Sequence, residues 1–234
     1  TVPSRSEADL PCMLPTTVVR LLVLSLLLAG SAGAQVCPGL TGEAAIDCVH
    51  DDYRPSRVLS GSQSKDRMMD TIWKTSQGGQ DGVIGVNTGR FVAFDGNPSS
   101  DPNQDVFNGG SGLNQEHVWP RSQGTDGNAA ETDLHHLFPT DVRTNADRGS
   151  LPFGTLDDGA RSTWYQGTTR QSATPADPKA WSQLSGGTFE PRAEIRGDVA
   201  RAMFYVAAVY KDLVSLSWFE GQVEDLLQWH LDDP

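Results

Sequence analysis

The chain has 234 residues, 37% of them hydrophobic and 21% charged. That length suits one ordinary domain or two very small ones, and the composition excludes a largely disordered chain. The net charge of −12 runs against the broad basic footprint of most nucleic-acid binders, although a local basic strip or a bound divalent cation can coexist with it.

At the N-terminus, Arg20 precedes an apolar stretch from Leu21 to Ala29 and small residues ending Ala32-Gly33-Ala34. This pattern predicts a secretory signal cleaved after Ala34, with Met13 as a start and residues 1–12 upstream of it. The apolar run is short for a membrane span, so a retained anchor is the weaker alternative. Export would leave Cys37 and Cys48 in the mature chain. In an oxidising compartment they are expected to pair. The expected organisation is 1–34 upstream residues plus signal, 35–59 an N-terminal segment holding the disulfide, and 60–234 the main domain.

Ser60 to Gln77 reads as one capped helix with Met68, Met69, Ile72 and Trp73 on its apolar face. Val83 to Asp95 reads as a hairpin around Asn87-Thr88-Gly89, and Ser99 to Gly112 as loop. A short strand then carries "LNQEHVWPRS", Leu113 to Ser122. After another loop, "TDLHHLF" has weak strand character. A helix follows, with Thr140 as N-cap, Asp141 in the first turn and Gly149 just past the end. The order is β-β-α. Trp164 to Gly187 is rich in Gly, Ser, Thr and Pro and reads as irregular. Apolar residues at helical spacing mark Glu190 to Asp212 as a strong amphipathic helix, and Phe219 to Leu231 as another. The class is α+β with a mainly helical C-terminal part.

The chemistry gathers in two stretches. Glu116 and His117 would diverge on a regular strand, but at a strand end both can reach one site. A carboxylate is a hard ligand suited to Mg²⁺, and a neutral imidazole can take a proton from water. Those are the two requirements of phosphodiester hydrolysis. Asn145, on the following helix, adds a neutral oxygen donor compatible with Mg²⁺ and its waters. Asp141 lies one turn before Asn145 and serves either as a supporting acceptor or as charge against the helix dipole, the latter being preferred. His135-His136 looks like a zinc pair, but neighbours on a strand diverge and no cysteine lies nearby. One of the two is expected to face the site and the other to pack or hydrogen-bond in the core.

Three segments, "GLNQEHVWPRS", "TDLHHLFPTDVRTNADRGSLPFG" and "FEPRAEIRGDVARAMFYVAAVY", resemble the endonuclease I family of secreted and periplasmic bacterial nucleases, in family order from about Ser60 onward. The resemblance implies a ββα-metal (His-Me finger) core. It implies Mg²⁺-dependent hydrolysis of DNA, and of RNA, with little sequence preference and 5′-phosphate products. Mn²⁺ or Ca²⁺ would substitute in binding. By the same resemblance, His117 matches the general base, and Glu116 and Asn145 the metal ligands. Arg121 matches the arginine near the scissile phosphate, with Arg143 and Arg148 as alternatives. A monomer, secreted or periplasmic and free of membrane after signal cleavage, is expected. Family members usually run on into an Asn/Arg-rich tail, so a C-terminal truncation is expected. The competing readings are a zinc-dependent secreted hydrolase using His117, His135 and His136, and an inactive secreted nucleic-acid-binding homologue.

Overall fold

The structure, a computed structural model, describes residues 36–96 and 100–233. The expected secretory signal and its cleavage point lie outside these residues. Helix α1 (Gly42–Tyr53) is tied to the preceding turn by a disulfide between Cys37 and Cys48, the pairing expected from export.

Ser60 opens helix α2 (Gly61–Arg67) with a reciprocal capping box: its hydroxyl accepts from the Gln63 amide, and the Gln63 side chain accepts from the Ser60 amide. The helix stops earlier than its apolar pattern suggests. It widens into a π turn at Met68–Ile72, which buries both adjacent methionines, and the chain then becomes strand β1 (Lys74–Gln77). Ile72 is 53% exposed and leaves the expected apolar face. The competing signal is Gly78-Gly79. Both residues have positive φ, as a tight hairpin requires, and they fold β1 onto β2 (Gln80–Gly85). Strand β3 (Arg90–Ala93) returns across Asn87-Thr88-Gly89 as expected.

The polar stretch expected to be loop contains helix α3 (Pro102–Phe107). The Asp101 side chain accepts from the Gln104 amide at 3.0 Å, and Pro102 occupies the first turn, an N-terminal signature hidden in a turn-like composition.

The predicted β-β-α unit is present. Strand β4 (Leu113–His117) pairs antiparallel with β5 (Leu137–Asp141), placing Glu116 opposite Phe138 and His117 opposite Leu137. Helix α4 (Val142–Arg148) follows at once. Its N-cap is Asp141, not Thr140: the Asp141 carboxylate accepts from the amides of Arg143 (3.0 Å) and Thr144 (3.3 Å). Thr140 stays in β5, where its hydroxyl accepts from Asn87 Nδ2 at 3.1 Å. Gly149 closes α4 with φ 54°, a value an L side chain rarely adopts. Gly85 matters for a different reason. A Cβ there would sit 2.7 Å from Leu113 Cδ2, so a larger residue would push the Leu113 side chain aside where the β2–β3 hairpin presses onto β4.

Residues 163–190 are not irregular. They form a sheet of four short strands in the order β7-β6-β8-β9, namely β6 (Thr163–Gln166), β7 (Thr169–Gln171), β8 (Ser182–Ser185) and β9 (Thr188–Glu190). Each strand is too short to show alternation, and the glycine-rich turns dominate the composition. The helix expected over Glu190 to Asp212 is α5 (Arg196–Val209), shorter because Glu190 ends β9, and it is buried on most sides, Val199, Met203 and Val206 included, rather than on one face. The last expected helix is two, α6 (Leu216–Glu220) and α7 (Val223–Asp232), interrupted at Gly221.

Among the described residues, two large hydrophobic clusters result, beside a small one of Ala45 and Ile46 on α1. The larger surrounds α5 and takes in Trp119, Phe138, Tyr165 and Phe189. The second joins Met68, Met69, Val83, Leu113 and Leu137. Consecutive residues of β5, Leu137 and Phe138, face opposite clusters, as the pleat dictates. The strand is thereby pinned from both sides, and with it the end of β4. The N-terminal segment docks on the same frame: His50 Nδ1 lies 2.9 Å from the Val209 carbonyl, Arg54 pairs with Asp212 at 3.0 Å, and Lys211 pairs with Asp47.

Candidate active site

A cleft of about 460 Å³ opens where the end of β4 meets α4, and its lining includes Glu116, His117, Arg121, Asn145 and Arg148. One face of α4 reads the strand beside it. Asn145 reaches residues 114 and 115, and Arg148, three positions on, reaches residues 116 to 118.

His117 is the last residue of β4, so both it and Glu116 line the cleft despite being neighbours. Its Nε2 lies 2.9 Å from the Glu131 carbonyl oxygen. A carbonyl can only accept, so Nε2 carries the proton and Nδ1 keeps a lone pair. Burial lowers the His117 pKa to about 4, helped by the nearby His136, Arg121 and Lys65. The ring is therefore neutral at pH 7 and able to accept a proton.

Glu116 is buried, and its Oε1 accepts from Arg148 Nη1 at 2.7 Å. Burial raises its pKa to about 7 against the pull of Arg148. Arg148 is just as buried. It also donates to the carbonyls of His117 and Val118 at 3.0 Å, and its guanidinium lies 4.4 Å from the centre of the Phe153 ring. Glu116 Oε2 has no protein partner among the described residues. Asn145 Nδ2 donates to Asn114 Oδ1 (2.8 Å) and to the Gln115 carbonyl (3.0 Å). Because the latter only accepts, the amide is oriented with its nitrogen on β4, and Oδ1 is the atom left over. A carboxylate oxygen and an amide oxygen thus line one cleft, each held by its other end. That donor set fits a hard cation such as Mg²⁺, which takes few protein oxygens and keeps several waters.

Arg121 sits at the mouth, 53% exposed at the side chain, paired with Asp126 and with Glu131 Oε1 at 3.0 Å. Glu131 therefore holds the imidazole through its carbonyl and Arg121 through its carboxylate.

The remaining sequence candidates lie elsewhere. His136 is fully buried behind His117, ring centres 5.8 Å apart, with Nε2 on the Ala130 carbonyl at 2.6 Å. His135 does not face the cleft either. It bonds Asp133 at 2.7 Å and stacks on Tyr205. Neither histidine lines the cleft, so the expectation that one of the pair would face it is corrected: the turn Leu134–His136 directs both away. Among the described residues, the only group of three His, Cys, Asp or Glu close enough to hold a metal is Cys37, Cys48 and Asp52, and its two cysteines are disulfide-bonded. Asp141 caps α4 and pairs with Arg90 at 2.8 Å. Asp141 and Arg143 line a different cleft, on the other side of α4.

Sequence reasoning missed the parts that orient the candidates. The Glu131 carbonyl could not be found, because any residue offers one. Asn114, which holds Asn145, and Asp133 lie inside the quoted segments but were given no role. Asp133 accepts from His135 and, through Oδ2, from the hydroxyls of Tyr205 (2.8 Å) and Tyr210 (2.7 Å), tying the turn after Thr132 to α5. Burial alone would raise the Asp133 pKa, but these bonds outweigh it and hold the carboxyl below its usual range.

The family described as Endonuclease I matches residues 62–234. The chain belongs to the endonuclease I family. It is 37% identical over 144 residues to an extracellular ribonuclease of Bacillus amyloliquefaciens, covering 54% of this chain and 44% of that protein. It is 32% identical over 145 residues to an extracellular ribonuclease of Bacillus subtilis (strain 168), covering 55% and 45% respectively. The chain spans less than half the length of these relatives.

Proposed function

We propose that the chain is a secreted, monomeric, Mg²⁺-dependent endonuclease. It hydrolyses phosphodiester bonds of DNA and RNA with little sequence preference and leaves 5′-phosphate ends. The observation that carries the reading is the juxtaposition in one cleft of a neutral, tautomer-fixed imidazole with two oriented oxygen donors. Family membership supports nucleic acid as the substrate, and the relatives' names support RNA and export. No helix among the described residues is long and apolar enough to cross a membrane.

Glu116 and Asn145 would hold Mg²⁺, which when bound supplies charge stabilisation at the scissile phosphate. His117 Nδ1 takes a proton from the attacking water, while its Nε2–H on Glu131 holds the ring in place. Arg121 has the shape for a bidentate contact with a phosphate oxygen pair and is the arginine at the mouth of the cleft. Arg148 is committed to Glu116 and two carbonyls, so its role is to orient the carboxylate.

The test is incubation of residues 35–234 with supercoiled plasmid and with RNA, in Mg²⁺ and in EDTA, followed by end analysis. Nicking and RNA breakdown in Mg²⁺, both lost in EDTA, with 5′-phosphate ends, support the reading. Cleavage that persists in EDTA would refute it.

A further inference from the structure

A second cleft, about 350 Å³, adjoins the first and shares Gln115, His117 and Arg121 with it. Its own lining is Lys65, Phe107 and the amide side chains of Asn103, Gln104 and Asn114. Among the described residues no carboxylate lines it, in a chain with 30 acidic and 18 basic residues. That composition is selective. Lys65 is an exposed cation on α2 with no carboxylate partner among the described residues, close enough to help hold His117 neutral. Phe107, at the end of α3, is half-buried and is not among the side chains that complete either hydrophobic cluster. Its ring is therefore available as a face at the cleft wall. Gln115 Nε2 is buried without a partner at the boundary of the two clefts, a donor in want of an acceptor.

Cation, flat ring and amide side chains, with Gln115 Nε2 unpartnered among them, match the three contacts a nucleotide offers: phosphate, base face and base edge. The cleft is of ligand size, at the lower end of the roughly 300–1,000 Å³ typical of small-molecule sites. We propose that it is a subsite for one unstacked nucleotide flanking the scissile phosphate. The base lies on Phe107, its edge meets the amides, and its phosphate lies against Lys65. Because the base must leave the stack to reach the ring, the subsite favours single strands over duplex. The inference rests on the nuclease reading and adds to it where the strand lies.

The test is anisotropy titration of the whole mature chain with fluorescein-labelled oligothymidylate in EDTA, where nothing is cut, against a duplex of equal length. Phe107→Ala should weaken single-strand binding about tenfold, Phe107→Tyr should restore it, and duplex binding should change little. Lys65→Gln should reduce the slope of log affinity against log salt by about 0.7, one phosphate contact on a single strand. In Mg²⁺, the loss in kcat/KM of Phe107→Ala should be carried by KM. Binding unchanged in Phe107→Ala, failure of tyrosine to rescue, or no oligothymidylate binding by the wild type would each overturn the subsite. A chain that binds through Phe107 but cuts nothing in Mg²⁺ fails the nuclease reading alone. One that cuts, with Phe107→Ala unaltered in both assays, fails the subsite alone.

Discussion

Glu116 and His117 are neighbours with opposite pH behaviour, and both effects come from burial. The His117 pKa falls from 6.5 to about 4. Between those values the unfolded chain binds a proton that the folded chain refuses, so this residue costs stability as pH drops from 6.5 toward 4. The Glu116 pKa rises from 4.5 to about 7. Over that window the folded chain keeps a proton that the unfolded chain gives up, so this residue costs stability as pH rises. The two slopes oppose each other in metal-free protein. Glu116→Gln removes one of them. In EDTA its Tm should climb more steeply than the wild type's between pH 4.5 and 6.5, as followed by thermal melts across the range. Added Mg²⁺ should raise the wild-type Tm at pH 7 and leave that of the variant nearly unchanged. Equal slopes would mean that burial does not hold the Glu116 proton, and equal Mg²⁺ responses would remove Glu116 from the metal site.

At the scale of elements, α4 is only seven residues long and is fixed to β4 largely by two side chains, Asn145 and Arg148. Arg148→Met deletes the buried partner of Glu116 and the donor to two carbonyls. Losing one half of a buried pair costs about 3–5 kcal/mol, which urea denaturation of the metal-free protein should show. A loss below about 1 kcal/mol would mean the pair is not closed in solution. The β-β-α order, the hairpin around Asn87-Thr88-Gly89 and helix α5 were legible in the sequence because period and turn residues agree there. The Gly149 terminus was legible as well, and Glu116, His117 and Asn145, singled out in the sequence, line one cleft. What escaped was set by competition between signals. Gly78-Gly79 turned the last four residues of an apparent helix into β1. Asp101-Pro102 capped a helix inside a loop-like composition. Strands of three or four residues in the β6 to β9 sheet were too short to alternate. In the site, backbone carbonyls and buried partners leave no mark in a single sequence.

At the scale of the whole molecule, the acidic balance and the proposed substrate are reconciled by local arrangement: Lys65 and Arg121 flank the adjoining clefts, while the charge of −12 is spread over the chain. Screening of so few phosphate contacts by salt should be mild. The disulfide belongs to this scale too. It holds α1, which docks on the end of α5 at Val209 and on Asp212 just beyond it, whereas Glu116, His117 and Asn145 are carried by β4 and α4. Replacing both Cys37 and Cys48 by serine should lower stability by about 2–3 kcal/mol, as expected for a short closed loop, with cleavage at moderate temperature retained. Loss of cleavage in a variant that stays folded would show that the N-terminal segment reaches the site. The central claim is that His117 activates water while neighbouring oxygens hold the cation. It is tested most directly by single-turnover nicking of supercoiled plasmid in Mg²⁺ by wild type and His117→Ala, with DNA binding measured in EDTA. The account expects the variant to cut at least about 10²-fold more slowly and to bind DNA as tightly as the wild type. Equal nicking rates would contradict it.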